Sequence, residues 1–424
     1  MKEELLHYLW KNGRFDQNNL QTTTGEIIHI LKVGEHNFGD GPDFLNARIM
    51  IGDTVWAGSV EIHIKSSEWL AHQHQSSKLY QSVILHVVLD EDRIICRDNG
   101  LRIPCLELRN RFPKDILSVY EGLFLQSRKI PCEGHLSVIH PLQQVSWLDR
   151  CMVERLEWRT AEMEVKLREL KGDWEELLHQ LLVASFGQHT NKLPFQRLAE
   201  LLPLRLMARY RDELENLEAL WFGIAGFLDP PAADRYSARH FQRFSQMKLK
   251  HQLIEMPVNW WNFKGVRPSN FPTLRLAQLA SFYFSNHFLL DKVLSLRSVR
   301  EFEAMMQPKL APYWDTHYAF GPPVKKKSRQ LGRTQQYLTL INAIIPFLFF
   351  YGSSNGKPEF RERSLSFLEA LPEEKNSIIQ MWEGQGIKPV NAAHSQALIH
   401  LKRNYCDKHR CLACAFGQVL LGEQ

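Results

Sequence analysis

The sequence has 424 residues, with 52 Lys and Arg against 47 Asp and Glu, which gives a formal net charge of +5. Hydrophobic residues make up 44% and charged residues 23%, a composition that excludes a disordered chain. No apolar run reaches the ~20 residues that cross a bilayer, so we expect no membrane association. The first residues do not resemble a secretory signal, which predicts a cytoplasmic protein.

The first ~115 residues predict a small mixed domain. A short amphipathic helix over residues 3–11 precedes a stretch in which the hydrophobic period is two, and residues 67–81 have helical composition. The apolar run at residues 83–89 is typical of a strand buried on both faces. The predicted strands are residues 27–33, 44–51, 55–65, 83–89, 93–96 and 102–108.

From about Leu117 onward, strand patterns disappear and stretches with the helical period follow one another. We therefore predict an α+β protein in which a small mixed domain, residues 1–115, precedes a large helical domain, residues 116–424. The predicted helices are residues 145–170, 174–185, 194–201, 204–222, 239–254, 274–286, 298–306, 337–351, 360–371, 374–382 and 392–405.

Acidic, imidazole and amine side chains share one face of the third predicted strand. Because side chains alternate along a strand, Glu61, His63 and Lys65 project to the same side. Asp43 follows the GDGP turn at the start of the preceding strand. Asp43 opposes Glu61 only if the turn is centred on Gly52 or if a bulge shifts the register; a simple two-residue turn would make it face away.

Two carboxylates at one height on neighbouring strands suit a hard divalent ion, which predicts Mg²⁺ or Mn²⁺ at Asp43 and Glu61. His63 or Lys65 could then orient the attacking water and offset charge on a phosphate. The residues thus predict phosphodiester hydrolysis. The alternative is an ordinary hairpin with a polar outer face.

The segment GPDF, followed 18 residues after its Asp by EIHIK, resembles the PD-(D/E)xK nuclease superfamily. The resemblance implies that Asp43 and Glu61 bind the metal. His63 stands where that superfamily has its lysine, and Lys65 lies one same-face position further on. This departure also leaves open an inactive domain that keeps the nuclease-like fold.

Accessory residues flank the hairpin. Glu35 and Asn37 could add an acid or an amide to the metal, or could be turn and capping residues. His72 and His74 are ~200° apart on a helix, so only one of them is expected to face the cleft. His86, inside the apolar run, is expected to be a core histidine.

Three cysteines lie close together near the end of the sequence, at Cys406, Cys411 and Cys414. Such clustering in a reducing compartment predicts a metal, either zinc or a [4Fe–4S] cluster. Cys132 or His409 would supply the fourth ligand. The alternative is a group of reduced thiols.

Two basic runs in the helical domain predict contacts with a phosphate backbone, although such runs are also common on solvated surfaces. No phosphate-binding glycine loop occurs, so ATP is not a predicted ligand. The candidate nucleic-acid-binding residues are Arg239, Arg243, Lys325, Lys326, Lys327 and Arg329.

The whole chain is identified as a member of an uncharacterised bacterial family, domain of unknown function 2851, on the stretches GPDFLNARI, WAGSVEIHIKSSEWLAHQH, YQSVILHVV, RPSNFPTLRLAQLA and YCDKHRCLACAFG. That resemblance implies no activity. The residues favour a metal-dependent nuclease acting on DNA or RNA. The alternative is a catalytically inactive nucleic-acid-binding or adaptor protein, and the oligomeric state is left open.

Overall fold

The computed structural model describes residues 3–37, 39–125, 129–229 and 232–422. The chain forms two compact units. The first unit comprises residues 1–147, 384–386 and 401–424, and the second comprises residues 148–383 and 387–400. The predicted division at residues 115 and 116 therefore differs from these units, and the terminal cysteine segment belongs to the first one.

The first unit is built on one mixed sheet in the strand order β1-β3-β4-β5-β6, with β2 also paired to β3. The β1–β3 and β3–β4 pairs are antiparallel, whereas β4–β5 and β5–β6 are parallel. This mixed sheet and the helices that follow confirm the α+β prediction. The strands are Ile28–Lys32 (β1), Glu35–His36 (β2), Phe44–Ile51 (β3), Thr54–Lys65 (β4), Val83–Asp90 (β5) and Cys105–Glu107 (β6).

Strand β5 lies between two parallel neighbours, and its first six residues are buried, as its apolar sequence predicts. The strand predicted at residues 93–96 is wrong: only an isolated bridge between Cys96 and Arg102 forms there, across the turn at Asn99 and Gly100. The helices of this unit include Glu3–Lys11 (α1), Glu68–Ala71 (α2), Lys114–Leu125 (α3) and the start of Pro141–Glu169 (α4).

The second unit is helical, with a core of large aromatic residues that includes the fully buried Trp221, Trp314 and Phe347. The single helix predicted at residues 204–222 is wrong, because the chain turns between α7 and α8. Helix α18, Ala415–Leu420, belongs to the first unit. Besides most of α4, the helices of the second unit are Trp174–Phe186 (α5), Lys192–Leu201 (α6), Leu204–Met207 (α7), Leu214–Ile224 (α8), Arg235–His251 (α9), Pro272–Ser285 (α10), Leu289–Ser295 (α11), Val299–Met305 (α12), Arg333–Thr339 (α13), Ile345–Ser354 (α14), Pro358–Ala370 (α15), Ser377–Gly384 (α16) and Ala392–Leu401 (α17).

A short π-helical segment, Leu340–Ile344, joins α13 to α14. Pro346 has no N–H group to donate to the carbonyl of Asn342, which widens the helix at this point. The guanidinium of Arg159 donates a 2.6 Å hydrogen bond to that carbonyl. The helical stretch Arg333–Ser354 is long and apolar enough to cross a membrane, but 67% of its most apolar window is buried in the unit, as in the core helix of a soluble protein.

A buried histidine makes the second unit sensitive to acid. His179 is fully buried and shares a 2.7 Å hydrogen bond with the hydroxyl of Tyr283. Burial lowers the pKa of His179 from 6.5 to about 4. Since the unfolded chain takes up this proton below pH 6.5, the contribution to stability is complete above that pH and is lost as the pH falls towards 4.

We expect wild-type protein to lose ~2 kcal/mol of unfolding free energy through this histidine between about pH 7 and about pH 5. His179→Gln should reduce this loss, as measured by urea unfolding at both pH values. His189→Gln, at an exposed position, is the control. An equal pH dependence in His179→Gln and wild type would contradict the prediction.

Candidate functional site

The end of β4 carries the side chains that the sequence analysis selected. Glu61 and His63 project to the same side, and both are buried, with 4% and 1% of their surface exposed. The parallel register places Glu61 beside His86 on β5. His63 Nδ1 and His86 Nε2 share a 2.8 Å hydrogen bond, so His86 is buried as predicted but also orients the ring of His63.

A β-bulge brings Asp43 opposite Glu61. The hairpin has a two-residue turn, since Ile51 pairs with Thr54, and this register alone would turn Asp43 away. The register shifts by one residue between Phe44 and Ala47, where Asn46 adopts a left-handed conformation with φ of 57°. Phe44 consequently pairs with Val60, and the backbone N–H of Asp43 donates a 3.1 Å hydrogen bond to Glu61 Oε2.

His72 and His74 both reach this site, which corrects the prediction that only one would do so. Helix α2 ends at Ala71, and Gln73 adopts a left-handed conformation with φ of 59°. The rings therefore do not follow helical spacing. His74 stacks on Tyr80 with ring centroids 3.8 Å apart, while His72 is exposed and marks the solvent-facing edge of the site.

The nitrogen and oxygen atoms of these side chains are spaced like metal ligands. One ring nitrogen from each of His63, His72 and His74 lies within 4.8 Å of the others. His63 Nε2 is 3.2 Å from His72 Nδ1 and 3.6 Å from Glu61 Oε1, and His74 Nε2 is 3.2 Å from the same oxygen. Ligands bound at ~2.0–2.2 Å in a tetrahedron are about 3.3–3.6 Å apart. The three imidazoles thus form a candidate metal site, and Glu61 Oε1 lies beside two of them, His63 and His74.

Burial sets the protonation of this cluster, which we call the His–Glu cluster and define as Glu61, His63, His72 and His74. Burial and the negative charge of Asp43 raise the pKa of Glu61 to about 9. Burial and the neighbouring rings lower the pKa of His63 to about 2 and that of His74 to about 4. The two imidazoles are therefore neutral near pH 7, the form that binds metals.

Helix α1 contributes two residues that the sequence analysis missed, Glu3 and His7, one turn apart on the same helix face. His7 Nε2 lies 3.3 Å from Asp43 Oδ2, the oxygen that also accepts a 2.9 Å hydrogen bond from the Ile62 N–H. Burial lowers the pKa of His7, but the interaction with Asp43 and with nearby acids outweighs burial and raises the pKa overall. Burial raises the pKa of Glu3 to about 7.

Three predicted residues do not join the cluster. Lys65 is exposed, and no ion pair within the described residues joins it to Asp43 or Glu61. Glu35 is exposed and pairs with Lys32 at 2.8 Å. The side chain of Asn37 donates to the carbonyls of Asp40 and Pro42 and accepts from the Gly39 N–H, so it holds the turn, as its alternative interpretation predicts.

The first unit also contains Cys132 and the three terminal cysteines, and all four are buried. Burial raises the pKa of Cys132 to about 12, and Cys414 and Cys411 contribute to the increase. Burial raises the pKa of Cys406 still more, with contributions from Cys132, Cys414 and Cys411. Cys411 and Cys414 flank a short turn, whereas His409 is exposed. The arrangement favours Cys132 over His409 as the fourth member of the group.

Close packing fixes the turn that carries Cys411. A Cβ atom on Gly417 would lie 2.1 Å from the backbone carbonyl oxygen of Cys411, so only glycine allows α18 to approach this turn. Gly417→Ala is expected to lower the unfolding free energy by about 1–3 kcal/mol, as measured by chemical denaturation. Gly384→Ala, where no atom lies within 4 Å, is the control. Equal stability of the two variants would contradict this packing.

The predicted nucleic-acid-binding residues lie in the second unit and differ in their contacts. Arg243 forms ion pairs with Glu213 and Glu215 at 2.8 and 2.7 Å, and Arg239 lies 4.0 Å from Glu215. These acids offset the charge of helix α9. Arg239 remains exposed, as do Lys325, Lys326 and Lys327.

Arg329 has a structural role instead of the predicted surface role. Only 6% of it is exposed. Its guanidinium donates hydrogen bonds to the carbonyls of Asp315, Lys325 and Lys327 and lies 4.1 Å from the ring centroid of Tyr318. Arg329 therefore holds the lysine loop in place.

Comparison of the chain with curated proteins and with solved structures found no match. The family model described as "Protein of unknown function (DUF2851)" matches residues 3–377. The matched residues include the His–Glu cluster, Asp43 and Cys132, whereas the three terminal cysteines follow them. Because the match extends over most of the sequence, the chain belongs to the DUF2851 family.

Proposed function

We propose that the first unit is a metal-dependent phosphodiesterase that cleaves DNA or RNA. The observation that carries this proposal is the convergence of three imidazoles, two of which lie beside the Glu61 carboxyl group, with a second carboxylate, Asp43, next to Glu61. A cluster of this kind is costly to a metal-free protein, because it buries an acid and several polar rings. Such costs are typical of functional sites.

The chemical types of the ligands limit which metal ion the His–Glu cluster can bind. The sequence predicts Mg²⁺ or Mn²⁺, but Mg²⁺ prefers oxygen ligands and water. Imidazole nitrogen suits Zn²⁺ and other transition metals, while carboxylates suit Mn²⁺. The His–Glu cluster therefore favours Mn²⁺ over Mg²⁺ and adds Zn²⁺ as a candidate. A bound ion would supply Lewis-acid stabilisation of the phosphate and a water of lowered pKa.

The residues of the chain have separable roles. His63 and His74 present neutral nitrogen atoms, and His86 fixes the ring of His63 through its Nδ1. Exposed His72 lies where a substrate can approach. His7, beside Asp43, would offer positive charge to a bound phosphate.

A second candidate is a catalytically inactive nucleic-acid-binding or adaptor protein. The observation that favours it is the separation of Lys65 from the carboxylates, together with His63 in the lysine position. This candidate predicts binding that weakens steeply with salt and no metal-dependent cleavage.

The two candidates are separated by one assay. Purified protein stripped of metal is incubated with single- and double-stranded DNA and RNA, with Mg²⁺, Mn²⁺ or Zn²⁺ added singly. We expect cleavage with Mn²⁺ or Zn²⁺ that disappears with chelator. Cleavage that persists in Asp43→Asn and Glu61→Gln would refute the assignment, and binding without cleavage under all conditions would support the adaptor.

We also propose that Cys132, Cys406, Cys411 and Cys414 hold zinc or a [4Fe–4S] cluster. Support comes from the burial of all four thiols and from the electrostatic effect of the terminal cysteines on Cys132. Burial raises the pKa values of Cys132, Cys406 and Cys411, and a metal would replace the thiol protons. Reduced thiols and a cluster of this kind suit a reducing compartment, which supports a cytoplasmic location.

A further inference from the structure

The second unit contains a polar cavity of about 400 Å³ that the proposed nuclease site does not use. Its size is within the range of small-molecule sites. Two loops far apart in sequence line it: the RPSN segment before α10, and the loop that carries the lysine run. Its basic lining residues are Arg267, Arg275, Lys327 and Arg329, and no acidic residue lines it.

The most informative residue of this cavity is Arg275, in the first turns of α10. Only 4% of it is exposed. Its guanidinium donates to the side-chain oxygens of Gln278 and Asn270 at 2.8 and 2.7 Å, which are neutral acceptors. No carboxylate forms an ion pair with it within the described part of the chain, and its Nε–H has no hydrogen-bond partner.

A buried guanidinium without a counter-charge is costly, and burial alone lowers the pKa of Arg275 to about 10. Arg329, buried at the same cavity, also has an Nε–H without a partner. Helix α10 begins at this wall of the cavity and has no side-chain cap. The positive end of its dipole therefore adds to the positive charge around the cavity. All of these features would be offset by a bound anion.

We infer that this cavity binds a phosphate-bearing small molecule of nucleotide size. Arg275, with Arg267 and Lys327 at the exposed edge, would receive the phosphate. Amide side chains on the same walls already bond to Arg275 or to one another, and their remaining hydrogen-bonding capacity would serve a base or a sugar; they are Gln188, Asn270, Gln278 and Gln335. The inference goes beyond the proposed function, because it concerns the second unit and requires no cleavage.

The test is isothermal titration calorimetry on the full-length protein with inorganic phosphate, adenosine 5′-monophosphate and adenosine. Phosphate and the monophosphate should bind, the monophosphate more tightly, while adenosine should not. The double variant Arg267→Ala/Lys327→Ala changes two exposed residues, so it should fold normally and bind the monophosphate about tenfold or more weakly.

The matched control is Arg300→Ala/Lys309→Ala, which removes the same charge from exposed positions outside the cavity lining and should bind as wild type. Arg275→Gln is a further variant, with circular dichroism to confirm folding. Absence of phosphate binding, equal loss in both double variants, or binding only of a 5′-phosphorylated oligonucleotide would overturn the inference.

Discussion

Glu61→Gln is expected to lower metal-dependent cleavage about a thousandfold or more while stabilising the metal-free protein at alkaline pH. Cleavage falls because the amide removes a charged ligand from the His–Glu cluster. The stability of the metal-free protein at alkaline pH should instead increase. The folded pKa of Glu61 is raised from 4.5 to about 9, so its contribution to stability is present below pH 4.5 and is lost as the pH rises through 9.

Two measurements check this prediction: initial cleavage rates with Mn²⁺, and melting temperatures of metal-free protein across the alkaline range. Glu35→Gln is the matched control, since Glu35 is exposed in the same unit and pairs only with Lys32 among the ion pairs described. Glu35→Gln should leave both quantities unchanged. A Glu61→Gln variant that cleaves normally, or that is less stable at alkaline pH, would show that Glu61 has a purely structural role.

Cys132→Ser is expected to release the metal proposed at the four cysteines and to destabilise the first unit. Binding energy at such sites becomes folding energy, with apparent values of about 10–16 kcal/mol for zinc in small domains. Cys132 is separated in sequence from its three partners, so its loss also removes a long-range link. We expect the melting temperature to fall by about ten degrees or more, which corresponds to a loss of unfolding free energy on the order of several kcal/mol.

Metal analysis and the absorption spectrum of anaerobically purified protein show whether zinc or an iron–sulfur cluster is lost. Cys96→Ser is the control, because Cys96 is exposed and lies outside the group. If wild type contains no metal, or if Cys132→Ser retains the full amount, the four-cysteine site is excluded. A His409→Ala variant that loses the metal would point to the alternative ligand.

The sequence predicts the face of β4 well, because strand alternation is a local property. Glu61 and His63 therefore point the same way in the structure. The approach of Asp43 depends on a bulge at Asn46, and alternation alone cannot locate a bulge. The sequence analysis could only name a bulge as one of the arrangements that bring the acids together.

Other parts of the site depend on tertiary packing. His72 and His74 converge because Gln73 leaves the helical conformation, which composition does not reveal. Helix α1 packs on β4, and nothing in its own sequence says that Glu3 and His7 meet Asp43. The i, i+4 spacing of these two polar residues on one face of an amphipathic helix is the one available signal. The cavity around Arg275 joins loops about 60 residues apart, beyond any local pattern.

The first unit is formed by segments from both ends of the sequence, which has a consequence for how it forms during translation. Residues 1–147 and 401–424 belong to the same unit, whereas the second unit is contained almost entirely between them. A ribosome therefore releases the whole helical unit before the segment that completes the sheet-bearing unit emerges, although domains usually fold from the N-terminus onward. Until residues 401–422 are synthesised, the first unit lacks part of its own structure. The N-terminal part of the nascent chain is thus accessible to proteases and chaperones while the helical unit is being made.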